Sequence, residues 1–222
     1  MKHIKYMFPF FILIFLVCFC FNIDSESPAS QKEDLSVVMK AEEQPINYAH
    51  TLLDPVTVYK NEQEIINDER VTVVSGKIIA TDTFVSNGMV FTDCTTEIIS
   101  VHKGSIETET IHVLELGGKL NEEQAIMFAN KDGYDSFPEG LNVVYSGYKI
   151  SVVGDCVVFF LTQCDDDMVT DVLGKRTDLY YVAGAVQGKF TLKDNYYVSG
   201  SSYNHGKLIQ YTTSEFQKLL DG

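Results

Sequence analysis

The chain has 222 residues, 45% of them hydrophobic and 22% charged, with 17 basic residues against 31 acidic ones and a net charge of −14. That apolar content excludes wholesale disorder, and the length suffices for one domain with a real core beside a terminal segment. The acid excess argues against nucleic-acid binding, and with Arg70 and Arg176 as the only arginines no guanidinium cluster for phosphate can be built.

Lys2, His3 and Lys5 precede an apolar run from Tyr6 to Ile23, and Asp24 and Glu26 follow it. Positive charge before such a run and negative charge after it predicts an N-terminal membrane helix with its N-terminus inside. The 18 residues of the run span about 27 Å as a helix at about 1.5 Å per residue, close to the bilayer core of about 30 Å. Residues 1–23 therefore read as an uncleaved anchor or as a signal peptide, with Ser25 and Ala29 as candidate cleavage points. Lipidation at Cys18 or Cys20 is a third outcome, although Val17 and Phe19 stand where small residues are needed. The domain beyond is expected on the extracytoplasmic face of the cell membrane, or secreted if the segment is cleaved.

Residues 24–58 are mixed and read as a linker, with Ser25 to Asp34 rich in Ser, Pro, Gln and acid. A short helix is predicted over Asn61 to Asp68, with Asn61 as its N-cap. Val71 to Ala80 is dense in β-branched residues and predicts a strand, with Gly76 marking a bulge or tight bend. Asn87-Gly88 predicts a hairpin turn into a long strand from Met89 to His102, closed by Lys103-Gly104. A third strand, Thr108 to Leu116, is expected to stop at Gly117-Gly118. Residues 120–141 predict a loop with a helical turn over Glu122 to Ala129.

Strands are expected again over Val143 to Ser151 and Asp155 to Thr162, the latter apolar on both faces as a central strand would be. Residues 163–178 read as an acidic loop. Leu179 to Ala183 and Gly188 to Leu192 predict further strands, and Lys193-Asp194-Asn195 a turn into Tyr196 to Val198. Thr212 to Glu215 matches a capping box opening a final helix through Leu220. The fold expected over 59–222 is mainly β, a small antiparallel OB-like barrel with peripheral short helices.

Several short stretches in order carry a family likeness: VVSGKI at 73–78, VHKG at 101–104, LELGG at 114–118, GDCVVFFL at 154–161 and VQGKF at 186–190. Together they resemble a family of small exported Gram-positive proteins and lipoproteins of unknown function with an OB-like, netrin-like β-barrel. The resemblance spans about 120 of the 222 residues. It implies a fold and an extracytoplasmic setting, and no activity. Related metalloproteinase inhibitors use a cysteine at the mature N-terminus, which no cleavage point here exposes.

No HExxH, G-x-S-x-G, Walker A or G-x-G-x-x-G motif is present. His3, His50, His102, His112 and His205 are scattered; His102 and His112 fall on neighbouring strands and can approach each other, or simply face solvent. Beyond the N-terminal run, Cys94, Cys156 and Cys164 allow three disulfide pairings with one thiol left over. A Cys94–Cys156 bridge would be worth about 4 kcal/mol by loop entropy, and Cys156–Cys164 would close a short loop. Buried free thiols are the alternative. Asp165, Asp166, Asp167 and Asp171 form a hard-oxygen cluster that can hold Ca²⁺ or else a solvated acidic loop. Tyr180, Tyr181, Tyr196, Tyr197 and Tyr203 form either a binding face or strand packing.

These features lead to a non-catalytic, envelope-associated binding or structural module that needs no cofactor. Its expected partner is an envelope protein or cell-wall component, with membrane contact through the N-terminal helix only and none with nucleic acid. An inhibitor or regulator of an extracellular hydrolase, and an unrecognised hydrolase, are the competing readings.

Overall fold

Asn87 and Gly88 adopt left-handed backbone, at φ 50° and 69°, and this pair reverses the chain between two 15-residue strands, β2 (Thr72–Ser86) and β3 (Met89–Lys103). The computed structural model describes residues 48–51, 59–131, 137–145, 147–199 and 209–221. The apolar N-terminal run with Cys18 and Cys20, most of the expected linker, Tyr203 and His205 lie outside them.

The β2–β3 register slips at Val73/Val74, Ser75/Gly76 and Ile78/Ala80, so Gly76 does sit at an irregularity. A Cβ there would stand 2.5 Å from Thr96 Cγ2 and 2.7 Å from the Glu97 carbonyl. β4 (Thr110–Lys119) pairs antiparallel with β3 from Glu97↔Thr110 to Phe91↔Leu116. It does not stop at Gly117-Gly118 as expected. At these glycines (φ 109° and 151°) it leaves β3 and pairs with β5 (Asn142–Tyr145). A Cβ on Gly117 would lie 2.5 Å from the Val143 carbonyl, so the glycines bend a strand that changes partner.

Between β4 and β5 runs a helix, α2 (Glu122–Lys131), capped reciprocally by Asn121 and Gln124 at 2.9 Å each way. β5 is shorter than the stretch 143–151 expected as strand. Gly147 turns the chain at φ 71°, and Tyr148 N–H donates to the Tyr145 carbonyl at 2.9 Å. β6 (Cys156–Gln163) then pairs antiparallel with β2. The acidic stretch after it contains a short helix, α3 (Asp167–Leu173), where a loop was expected. Asp166 O accepts from Val169 and Thr170 N–H at 3.2 and 3.0 Å, and carboxylates at a helix start suit its dipole.

β7 (Leu179–Val182) pairs antiparallel with β6 and parallel with β4. The pairings thus close a ring, β4–β3–β2–β6–β7 and back to β4. β8 (Lys189–Lys193), β9 (Tyr196–Ser199) and β10 (Gln210–Thr212) extend the sheet antiparallel from β6. Asp194 and Asn195, at φ 47° and 68°, make the predicted turn between β8 and β9. One strand lies inside the stretch read as linker: β1 (Tyr48–Thr51), parallel to β5. The fold is mainly β, and its pairs are antiparallel except β1–β5 and β4–β7.

Two helices bracket the described domain. α1 (Glu62–Asn67) has Asn61 as N-cap, its side chain accepting from Glu64 N–H at 2.9 Å. α4 (Thr213–Asp221) opens on the predicted capping box: Glu215 N–H donates to Thr212 Oγ1 at 3.3 Å, and Thr212 N–H to Glu215 Oε2 at 2.8 Å.

Alternation along the strands sorts the core into three clusters. One draws on all five ring strands: Val74 and Ile78, Cys94, Ile111 and Val113, Phe159 and Leu161, Tyr180 and Val182. The other face of β2 and β6 presents Val73, Val158 and Phe160 to Ile65 of α1 and Phe216 of α4. The other face of β3 and β4 presents Phe91, Leu114 and Leu116 to Ala125 and Phe128 of α2 and Val169 of α3. Cover on both faces is why β6 reads as an unbroken apolar run.

Candidate functional site

Strand alternation places Glu115 on the same face of β4 as Ile111 and Val113, toward the ring interior. Lys189 is the register partner of Phe159 and faces the same way. The two meet as an ion pair, Nζ to Oε2 at 3.0 Å, with side chains 1% and 0% exposed. Ser151 completes the carboxylate's contacts, its N–H donating to Oε2 at 2.7 Å and its hydroxyl to Oε1 at 2.6 Å. Lys189 also donates to the Lys149 carbonyl, and its ammonium lies 4.6 Å from the Tyr148 ring centroid.

Two further groups border this pair. The Tyr148 hydroxyl is fully buried and makes no hydrogen bond among the described residues. Burial, then the Glu115 charge, pushes its ionisation well above the ordinary phenol range. The same causes in the same order push the Cys94 thiol up. A thiol so held stays protonated and is a poor nucleophile.

The described structure carries Cys94, Cys156 and Cys164 as free thiols. The register accounts for it. Cys94 points into the ring, whereas Cys156 shares the opposite face of its sheet with Val158 and Phe160, and β2 lies between their strands. Cys156 opens β6 and Cys164 follows its last residue, so about 26 Å of extended chain separates them, beyond the Cα separation of about 7 Å that a bridge tolerates. Neither of these two pairings forms in this fold, and free thiols, the other reading of the sequence, are what the described residues show.

The histidines also separate. His112 lies opposite Thr95, so His102 is seven residues further along β3, about 23 Å away. The partner of His112 is Asp93, whose two carboxylate oxygens each lie 2.9 Å from Nδ1. Beside it, Arg176 donates to both oxygens of Asp178 at 2.9 and 2.8 Å, holding that carboxyl below its usual range. His112 N–H donates to the Asp178 carbonyl at 2.8 Å. A carboxylate on Nδ1 orients an imidazole for proton transfer at Nε2, yet no described hydrogen bond joins this ring to a serine, threonine or cysteine.

Among the described residues no group of three or more His, Cys, Asp or Glu side chains is disposed to hold a metal ion. Asp165, Asp166, Asp167 and Asp171 are instead spread over the start and first turns of α3. The tyrosines do not share a face either. Tyr180 is buried, Tyr196 is 40% exposed, and Tyr197 stacks on Phe216 with centroids 4.3 Å apart.

Glu115, Lys189, Tyr148 and Ser151 are absent from the candidates read from sequence. A signal was present. In TIHVLELGG, positions 111, 113 and 115 alternate on one face, so a carboxylate at 115 had to enter the core or be exposed there. No family model matches the chain, and no curated protein or solved structure proved similar to it.

Proposed function

We propose that the protein is a non-catalytic binding or structural module working on the extracytoplasmic side of the cell envelope, built on an OB-like barrel. The barrel reading is supported by the closed set of pairings, in which a three-stranded meander (β2, β3, β4) is followed by α2 and β5 and then by β6 and β7, which return to its first and third members. The extracytoplasmic placement is supported by the charge-flanked apolar run at 6–23.

The observation that carries a non-catalytic role is the filled ring interior. Apolar side chains from all five strands occupy it, the charged pair within it is internally satisfied, and its thiol is held protonated. Recognition then falls to the outer surfaces and strand ends, and the partner is an envelope protein or a cell-wall component. Two measurements on the tagged full chain in its own cells test this. Protease added to intact spheroplasts should digest the domain, and a saturable envelope partner should be retained on pull-down. Protection from the protease, or nothing retained above background, overturns the reading.

A further inference from the structure

Five of the large apolar side chains that remain exposed gather at one end of the sheet. Val152 and Val153, in the turn leading into β6, are 57% and 61% exposed, and Ile79 of β2 is 44% exposed. Backbone bonds join turn and strand: Ile78 N–H donates to the Asp155 carbonyl at 2.9 Å, and Gly154 N–H to the Ile78 carbonyl at 2.8 Å. Ile79 is turned outward by a bulge, since the register steps from Ile78↔Thr96 to Ala80↔Thr95 around it. On the other side of β6, β8 runs past its last pair, Val157↔Thr191, to the exposed Leu192 and Lys193, and Lys193 faces the exposed Tyr196 of β9.

Two exposed cations also stand at this edge, with Asp155 and Asp194 as neighbouring carboxylates. Lys149 and Lys193 are both exposed. Partial burial and then the nearby Lys149 hold the Lys193 ammonium below its ordinary value, against a weaker pull from Asp155. The Asp155 carboxylate is engaged locally, accepting from Val152 N–H at 3.0 Å. An aliphatic tip with a collar of lysine and tyrosine has the composition of a surface that settles at a bilayer interface. The aliphatic groups enter among the headgroups, and the cations meet the phosphates.

The geometry points to an anionic phospholipid surface as the ligand of this edge, with Val152, Val153 and Ile79 inserted and Lys149 and Lys193 against the phosphates. This rests on the extracytoplasmic placement proposed above, and it adds a second membrane contact to the one expected from the N-terminal run. A local reporter separates the two contacts. The chain has no tryptophan, so Val153→Trp in the full chain introduces a single one at the tip. Val172→Trp, at a 51% exposed position on α3, places one elsewhere.

With the full chain reconstituted into vesicles of phosphatidylglycerol and brominated phosphatidylcholine, Val153→Trp emission should shift to the blue and be quenched at least twofold. Val172→Trp should stay unquenched. Adding Lys149→Glu and Lys193→Glu, or omitting phosphatidylglycerol, should remove most of the quenching. Val152→Trp serves as a second tip reporter, and unfolding midpoints matching the parent show that each variant is folded. Tip tryptophans that stay as solvent-like as Val172→Trp overturn the inference, as does quenching indifferent to the lysines and to lipid charge. Failure of the envelope placement would show in the spheroplast assay and leave the vesicle result standing.

Discussion

The ring interior and the layer beneath α4 both bury apolar side chains and are held together differently. Beneath α4 the contacts are aromatic: Phe160, Phe190, Phe216, Tyr197 and Tyr211 meet at centroid distances of 4.3 to 6.5 Å. Dispersion and area burial supply the stability there, and each ring contributes much on its own. Inside the ring, Glu115 and Lys189 stabilise only as a pair, because either alone would be an uncompensated charge out of water. Beneath α4 the contacts are independent of one another, while inside the ring the charged pair adds a conditional part to the apolar packing.

Breaking the conditional region should have the largest effect. Glu115→Ala leaves Lys189 buried without its counter-ion and should cost about 3–5 kcal/mol in a denaturant melt. Glu115→Leu with Lys189→Met should recover part of that loss, the remainder reflecting the Ser151 N–H and hydroxyl that lose their acceptor. If the double variant is no better than the single one, the pair is not the source of the coupling. The aromatic layer should give no such recovery. Phe216→Ala should cost about 3 kcal/mol, the low end for a buried phenylalanine because a terminal helix can settle into the gap. That loss should add to the Glu115→Ala loss, since the two sit in separate clusters.

The same division decides how much of the molecule was legible in the chain. Turns and caps are local chemistry, and Asn87-Gly88, Asp194-Asn195, Asn61 and the Thr212–Glu215 box all do what their residue types dictate. The central run of β6 was readable because one stretch of sequence carries both faces. Pairings set by distant residues were not readable. Gly117 and Gly118 look like a strand end until Val143 and Val144 arrive as new partners. Glu115 and Lys189 are 74 residues apart, and nothing local says that they meet. The choice between a disulfide and free thiols was not readable for a related reason, since a spacing in sequence says nothing of which sheet face a thiol occupies. Asp165 to Asp171 misled by composition: an acid-rich stretch resembles a solvated loop, yet the same carboxylates suit a helix N-terminus.

Smaller tests sharpen the contrast at the edge of the aromatic layer, at the two ends of α4. Thr212→Ala removes the cap that positions Phe216 and should cost about 1 kcal/mol. At the far end, His102 of β3 senses Asp221 of α4. Partial burial holds the imidazole below its ordinary value, and Asp221 opposes this more weakly. The folded protein therefore takes up this proton at lower pH than the unfolded chain does. Stability linked to His102 is full above the unfolded value of about 6.5 and falls as pH drops through that value toward the folded one. His102→Gln should flatten the stability profile in that window while leaving it unchanged at pH 8. Asp221→Asn should act oppositely, because removing the attraction lowers the folded value further and deepens the loss on acidification. His102 remains exposed enough for solvent to screen it, so both changes should be the smallest of the set. A profile that Asp221→Asn leaves unaltered would mean that the end of α4 does not hold its carboxylate near β3.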